Sequence, residues 1–170
     1  MTSESLFTEF SCRKLRQLSQ RIGVCLAKLS DEQLWARNSA NENAIGNIIL
    51  HLCGNLRQWI GHGVAGRADT RDRDAEFNAT GGNTVVDLQA HLDAADGDAV
   101  SVIEAIAAAD LLTIIHVQKY NIPKMEAIYH VVEHFAQHTG QIIFATKLLT
   151  GEELGFYTHL RNAAHGEKTP

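Results

Sequence analysis

Histidines dominate the chemistry available to this chain. Nine occur in 170 residues, and three of them, His130, His134 and His138, recur every fourth position. Residues four apart lie one helical turn apart on the same face, so imidazoles at that spacing can converge on one ion. A heptad-like reading of residues 123–150 places Ala127, Val131, His134, His138, Ile142, Ala145 and Leu149 on an inward stripe. At about 100° per residue, His130 is rotated roughly 80° from His138 and is the weaker candidate.

A second segment supplies a complement. Asn47, His51 and Asn55 stand four apart beside the apolar Ile48, Leu52 and Leu56. Three polar residues in line along an apolar stripe point to a polar site set into the core. One histidine from one helix and a histidine pair from another is how metal sites in helical bundles are built. Three neutral imidazoles suit zinc, nickel, copper or iron, and leave a coordination position for water or substrate. Spacing alone leaves the ordinary alternative open, namely hydrogen-bonded core histidines or solvated ones. Asp87 and His91 also have chelating spacing, but Asp93, Asp96 and Asp98 around them read as a solvated face. His62, His116, His159 and His165 have structural or solvent roles by default.

Four helical segments must position these residues. Apolar residues at three- and four-residue steps predict helices at about Ser5–Leu29 and about Glu42–Ile60. Ser39 or Asn41 is expected to cap the second, with Gly61, Gly63 and Gly66 ending it. A polar loop rich in Asp and Arg follows. Thr84 then caps a third helix reaching about Ala109, with Gly97 inside it. Residues 111–122 are too β-branched for a helix and read as an extended connection. Pro123 opens the fourth helix as a first-turn residue, and Gly151 stops it near Thr150. Leu154, Phe156, Tyr157 and Leu160 are expected to pack back on the helices. Four amphipathic helices without a convincing strand set predict an all-α four-helix bundle, one domain over residues 1–160 with a mobile tail at 161–170.

Composition narrows the class. A net charge of −5 with scattered basic residues argues against nucleic-acid binding, which needs a basic face. No apolar run approaches the roughly 20 residues that span a bilayer, and Met1–Phe10 does not read as a signal peptide. Cys12, Cys25 and Cys53 form no CxxC pair and are odd in number, as expected of buried thiols in a reducing cytoplasm.

The stretch 44–59, AIGNIILHLCGNLRQW, and the stretch 130–143, HVVEHFAQHTGQII, carry a resemblance. The first resembles the second-helix motif of the DinB-like superfamily, in which His is followed by Leu-x-Gly-Asn. The second is similar to that superfamily's fourth-helix motif, ending in His-x-Gly-Gln. The resemblance implies a DinB/YfiT-like bundle of about the whole chain's length, with His51, His134 and His138 at the three metal-ligand positions. Thr139 stands where many relatives place Arg before Gly-Gln, so that residue's role does not carry over.

It further implies a divalent ion, zinc or nickel ahead of iron, and a metal-dependent enzyme of the thiol-transferase or hydrolase type acting on a small molecule. The alternative is a non-catalytic, metal-stabilised ligand-binding or interaction module. Alanines along the third helix permit close approach of helices, within the bundle or across a homodimer. Around the ligands, Gln141, one turn beyond His138, and Asn47 and Asn55, either side of His51, are expected hydrogen-bond partners. No general base is evident.

Overall fold

A computed structural model of the chain describes residues 2–161. Helix α1, Ser3–Leu26, starts at Thr2, whose hydroxyl accepts from the Ser5 amide while Ser5 reciprocates. Two of the four orphan amides of the first turn are satisfied in this way. Its buried face runs through Cys12, Leu15, Ser19, Ile22 and Leu26, at three- and four-residue steps. Leu6 and Phe10, read as part of that stripe, are 49% and 40% exposed, because at about 100° per residue they fall on the far side of the helix from Leu15 and Ile22, and Phe7 packs on the core instead. A single turn, α2 (Asp31–Leu34), carries a second reciprocal cap between Ser30 and Gln33.

Helix α3, Ile45–Leu56, is buried on almost every side, Leu50 alone being half-buried. A helix buried all round belongs at the centre of a fold, and its polar line of Asn47, His51 and Asn55 is buried with it. Its cap is neither Ser39 nor Asn41: the Asn47 side chain accepts from the Ala44 amide at 3.1 Å and closes the start from inside. Nor does the helix stop at Gly61. It continues through a wide π-helical turn, Arg57–Val64, and the chain leaves it at Gly66, where φ is +72°. The polar loop then contains a short helix, α4 (Arg73–Asn78), capped by Asp72 through the Ala75 amide.

Thr84 caps α5, Val85–Ala105, with Asp87 completing the reciprocal pair. The helix ends four residues before the expected Ala109, as Ile106 turns extended. The connection beyond is extended, as its β-branched residues imply, but it is also paired. After a 3₁₀ turn at Ala108–Leu112, strands β1 (Ile114–Val117) and β2 (Tyr120–Pro123) form an antiparallel hairpin with His116 opposite Asn121. The expectation of no strand set fails here. The turn Gln118-Lys119 lacks the Asn-Gly or Gly signal of a two-residue hairpin, and Gln118 itself takes φ +55°.

Pro123 is the last residue of β2 and the cap of α6, Lys124–Thr150, rather than its first helical residue. Gly151, at φ +68°, terminates α6. Leu154 is buried and Phe156 packs on the core, whereas Tyr157 and Leu160 are mostly exposed. Apart from the Arg161 backbone, the expected mobile tail lies outside the described residues, as does His165.

The protein is mostly helical. α1 packs on α5 and α6, and α3 packs on the same two, so the four long helices enclose one apolar core. The hairpin lies on the π-helical turn, and α4 lies on α3. Among the described residues no helix is long and apolar enough to cross a membrane.

Candidate metal centre

His51 sits midway along α3 and is 7% exposed. His134 and His138 sit one turn apart on α6 and are half-buried. The fully buried stripe of α6 runs through Ala127, Ile128, Val131, Phe135, Thr139, Ile142 and Thr146. The two histidines therefore flank the core instead of centring on it, which corrects the inward stripe read from the sequence. That flank faces His51. The Nε2 atoms of His51 and His134 are 3.0 Å apart, and those of His134 and His138 are 3.2 Å apart. All three candidate ligand atoms fall within 4.8 Å of one another.

A cation fits this triangle better than protons do. His134 Nε2 faces two other imidazole nitrogens, and a neutral ring can donate to or accept from only one of them along each lone pair or N–H. One ion among the three would use every facing lone pair. Nitrogens bound tetrahedrally at 2.0–2.1 Å stand about 3.3 Å apart, close to the 3.0 and 3.2 Å on either side of His134, while the third pair, His51 and His138, lies within 4.8 Å and would draw together around an ion. His134 and His138 are also held neutral, as ligation requires. Burial, then the neighbouring histidines and Arg71, push His134 down to about 3. Burial also lowers His138, against a hydrogen bond to Gln141 that works to raise it.

The outer nitrogens of His51 and His138 have partners, whereas His134 Nδ1 is buried without one among the described residues. His138 Nδ1 lies 2.7 Å from Gln141 Oε1; with Nδ1 donating, the Nε2 lone pair faces inward. His51 Nδ1 lies 3.1 Å from Glu76 Oε2 and 2.9 Å from Arg71 Nη2; donation to the carboxylate would turn the Nε2 lone pair inward, whereas accepting from Arg71 would place the proton on Nε2. Glu76 comes from α4, and sequence reasoning missed it. Arg71 holds it with two parallel hydrogen bonds of 2.8 Å, and its Nη2 also lies 2.9 Å from His51 Nδ1. Burial would raise the Glu76 carboxyl, but the Arg71 and His51 hydrogen bonds outweigh it and hold the group below its usual value.

One clue to Glu76 stood in the sequence. Gly54 lies mid-helix, where glycine costs about 1 kcal/mol relative to alanine. A Cβ there would lie 1.8 Å from Glu76 Oε1, so the glycine of the Leu-x-Gly-Asn motif makes room for the carboxylate behind His51.

The other expected partners fall differently. Asn47 does not touch His51. Its Nδ2 donates to the Glu76 and Ala79 carbonyls at 2.9 and 2.8 Å, and Arg37 donates to its Oδ1, so it fastens α4 to α3. Asn55 is buried and lines the cavity beside the site. His130 stands outside the nitrogen triangle, its ring 4.2 Å from Trp59 and 5.7 Å from His134. His91 is exposed, His62 Nδ1 lies 2.6 Å from the Arg67 carbonyl, and His116 contacts Asn121.

The triangle opens into a cavity of about 700 Å³, within the range of small-molecule sites. Its walls include Trp59 and Gln58 from the π-helical turn, Arg71 and Arg73 from the loop, and Tyr120 and Ile122 from the hairpin. Widened turns of this kind recur at functional sites because they re-aim side chains without breaking the helix. The cysteines take no part. All three are buried, and burial raises Cys25, pushes Cys12 up to about 11 and Cys53 up to about 12.

The mostly helical fold is shared with DinB-like proteins, as the motifs implied. The chain belongs to the family described as "Protein of unknown function (DUF1572)", whose model matches residues 3–162. It is similar in structure to a conserved protein from Enterococcus faecalis, with a TM-score of 0.72 and 15% identity over 89% of this chain and 99% of that one. It is also similar to a DinB-like protein from Bacillus subtilis, with a TM-score of 0.61 and 14% identity over 92% and 98% of the two chains. At these identities the likeness carries the fold alone. No protein of curated function matches the chain.

Proposed function

We propose that this protein is a four-helix-bundle metalloenzyme whose His51, His134 and His138 hold one divalent ion, zinc or nickel ahead of iron. The convergence of three imidazole nitrogens beside an open cavity carries the reading. Structural zinc sites close with a fourth protein ligand, and among the described residues no cysteine or carboxylate joins these three histidines as a fourth ligating group. An ion in such a site acts as a Lewis acid and lowers the pKa of a bound water or thiol.

The chain's own residues supply positioning. Glu76 and Gln141 orient the His51 and His138 imidazoles, and the hairpin and π-helical turn wall the cavity. No side-chain nucleophile competes, since the three thiols are buried and kept protonated. The substrate we infer is a small thiol, and the reaction transfer of that thiol or hydrolysis. The protein acts in the cytoplasm as a homodimer, without nucleic acid or membrane. The net charge of −5 supports the exclusion of nucleic acid.

Titration of cobalt-substituted protein with small thiols tests the reading. Thiols that enter the open position shift the visible spectrum at sub-millimolar to millimolar concentration. A spectrum that no thiol moves would favour the non-catalytic module.

A further inference from the structure

Arg73, the first residue of α4, stands over the Phe77 ring with its guanidinium carbon 4.9 Å from the ring centroid. Phe77 in turn lies against His51, centroid to centroid 4.8 Å. Laid end to end, these contacts keep the guanidinium within about 10 Å of the His51 ring. Arg73 lines the cavity, is exposed, and makes no ion pair among the described residues. Its neighbour Arg71 is different: it is buried and bound on two nitrogens to Glu76. The cavity therefore has one cation neutralised by the fold and one held in place by ring stacking, with its donors left over.

Charge balance gives that arrangement a direction. Neutral imidazoles bring no negative charge to a divalent ion, and the Arg71–Glu76 pair cancels itself. Glu126, from the first turn of α6, is the acidic group among the lining residues. It disfavours an anion on its own side and leaves Arg73 as the place for one.

We propose that the cavity takes a small thiol bearing a carboxylate, with the sulfur toward the three histidines and the carboxylate on Arg73. This rests on the thiol reading above and adds the second recognition point. A carboxylate three to five bonds from sulfur spans roughly 4–6 Å at ordinary bond lengths, leaving room for a contact at each end. The planar guanidinium fork matches a carboxylate bidentately, which a lysine at the same place would not.

The test compares small thiols of different charge on the cobalt-substituted protein, read by the visible spectrum. 3-Mercaptopropionate should bind about ten-fold more tightly than 2-mercaptoethanol, the low end for a charge-assisted hydrogen bond, and cysteamine should bind most weakly. Arg73→Gln should remove the preference while cobalt content and mercaptoethanol affinity hold, and Arg73→Lys should restore part of it. Equal affinities for the three thiols would overturn the role of Arg73. So would a preference that survives Arg73→Gln, since that is chelation by the metal alone. Both results leave the metal–thiol reading standing, whereas a spectrum that no thiol moves overturns both.

Discussion

Glu76 links the metal triangle to the rest of the protein. Its carboxylate faces His51 Nδ1 on one side and Arg71 on the other, all three nearly out of reach of water. Removing one partner of a buried ion pair leaves the other uncompensated, at about 3–5 kcal/mol. Glu76→Ala should therefore lower the denaturation midpoint of the metal-free protein. Because outer partners of ligating histidines tune affinity, it should also weaken zinc binding about 10–100-fold. Competition with a chromophoric chelator measures the second effect, and unchanged affinity would show that Glu76 serves packing alone. Gly54→Ala should mimic both losses, since its methyl group would displace the same carboxylate. The histidines of this site were legible because each is encoded by spacing on one helix. Glu76 and Arg71 were not, because they reach His51 across 25 and 20 positions from a polar loop with no periodicity.

At the scale of elements, α5 carries a group that works against stability. Asp96 is 7% exposed, its Oδ1 has no hydrogen-bond partner, and burial pushes the carboxyl up to about 6. Arg16 on α1 lowers it only partly, and Asp93 and the Cys12 thiol lie nearby. The folded state holds this proton more tightly than the unfolded chain, whose Asp titrates near 3.9. Its contribution is therefore fully present below about pH 4 and is lost as pH rises through about 6. Asp96→Asn should stabilise the protein by about 1–3 kcal/mol at pH 7.5 and have little effect at pH 4, read from urea midpoints at both. Equal effects at both pH values would mean that the carboxyl is not perturbed.

Elements were legible in proportion to their periodicity. The caps at Thr84 and Gly151 were visible as residue types. The hairpin was not, since its turn lacks Gly and Asn. Neither was the π-helical turn, which no residue type announces. Thr84→Ala should cost about 1 kcal/mol, the usual value of a lost N-cap, in the same urea assay.

The whole molecule has two layers. Four long helices enclose an apolar core, and a loop, a widened turn and a hairpin build a cavity against its histidine-bearing flank. The core could be read from the sequence because apolar periodicity survives without knowledge of neighbours. The cavity could not, because its walls come from three connections brought together only by folding. What makes the layers one device is the ion expected between α3 and α6. Its presence is tested most directly by metal analysis of protein purified without an affinity tag, beside the four single histidine-to-alanine variants. The account predicts close to one divalent ion per chain, lost in His51→Ala, His134→Ala and His138→Ala and retained in His130→Ala. A His130→Ala variant stripped of metal beside a fully loaded His51→Ala variant would contradict it.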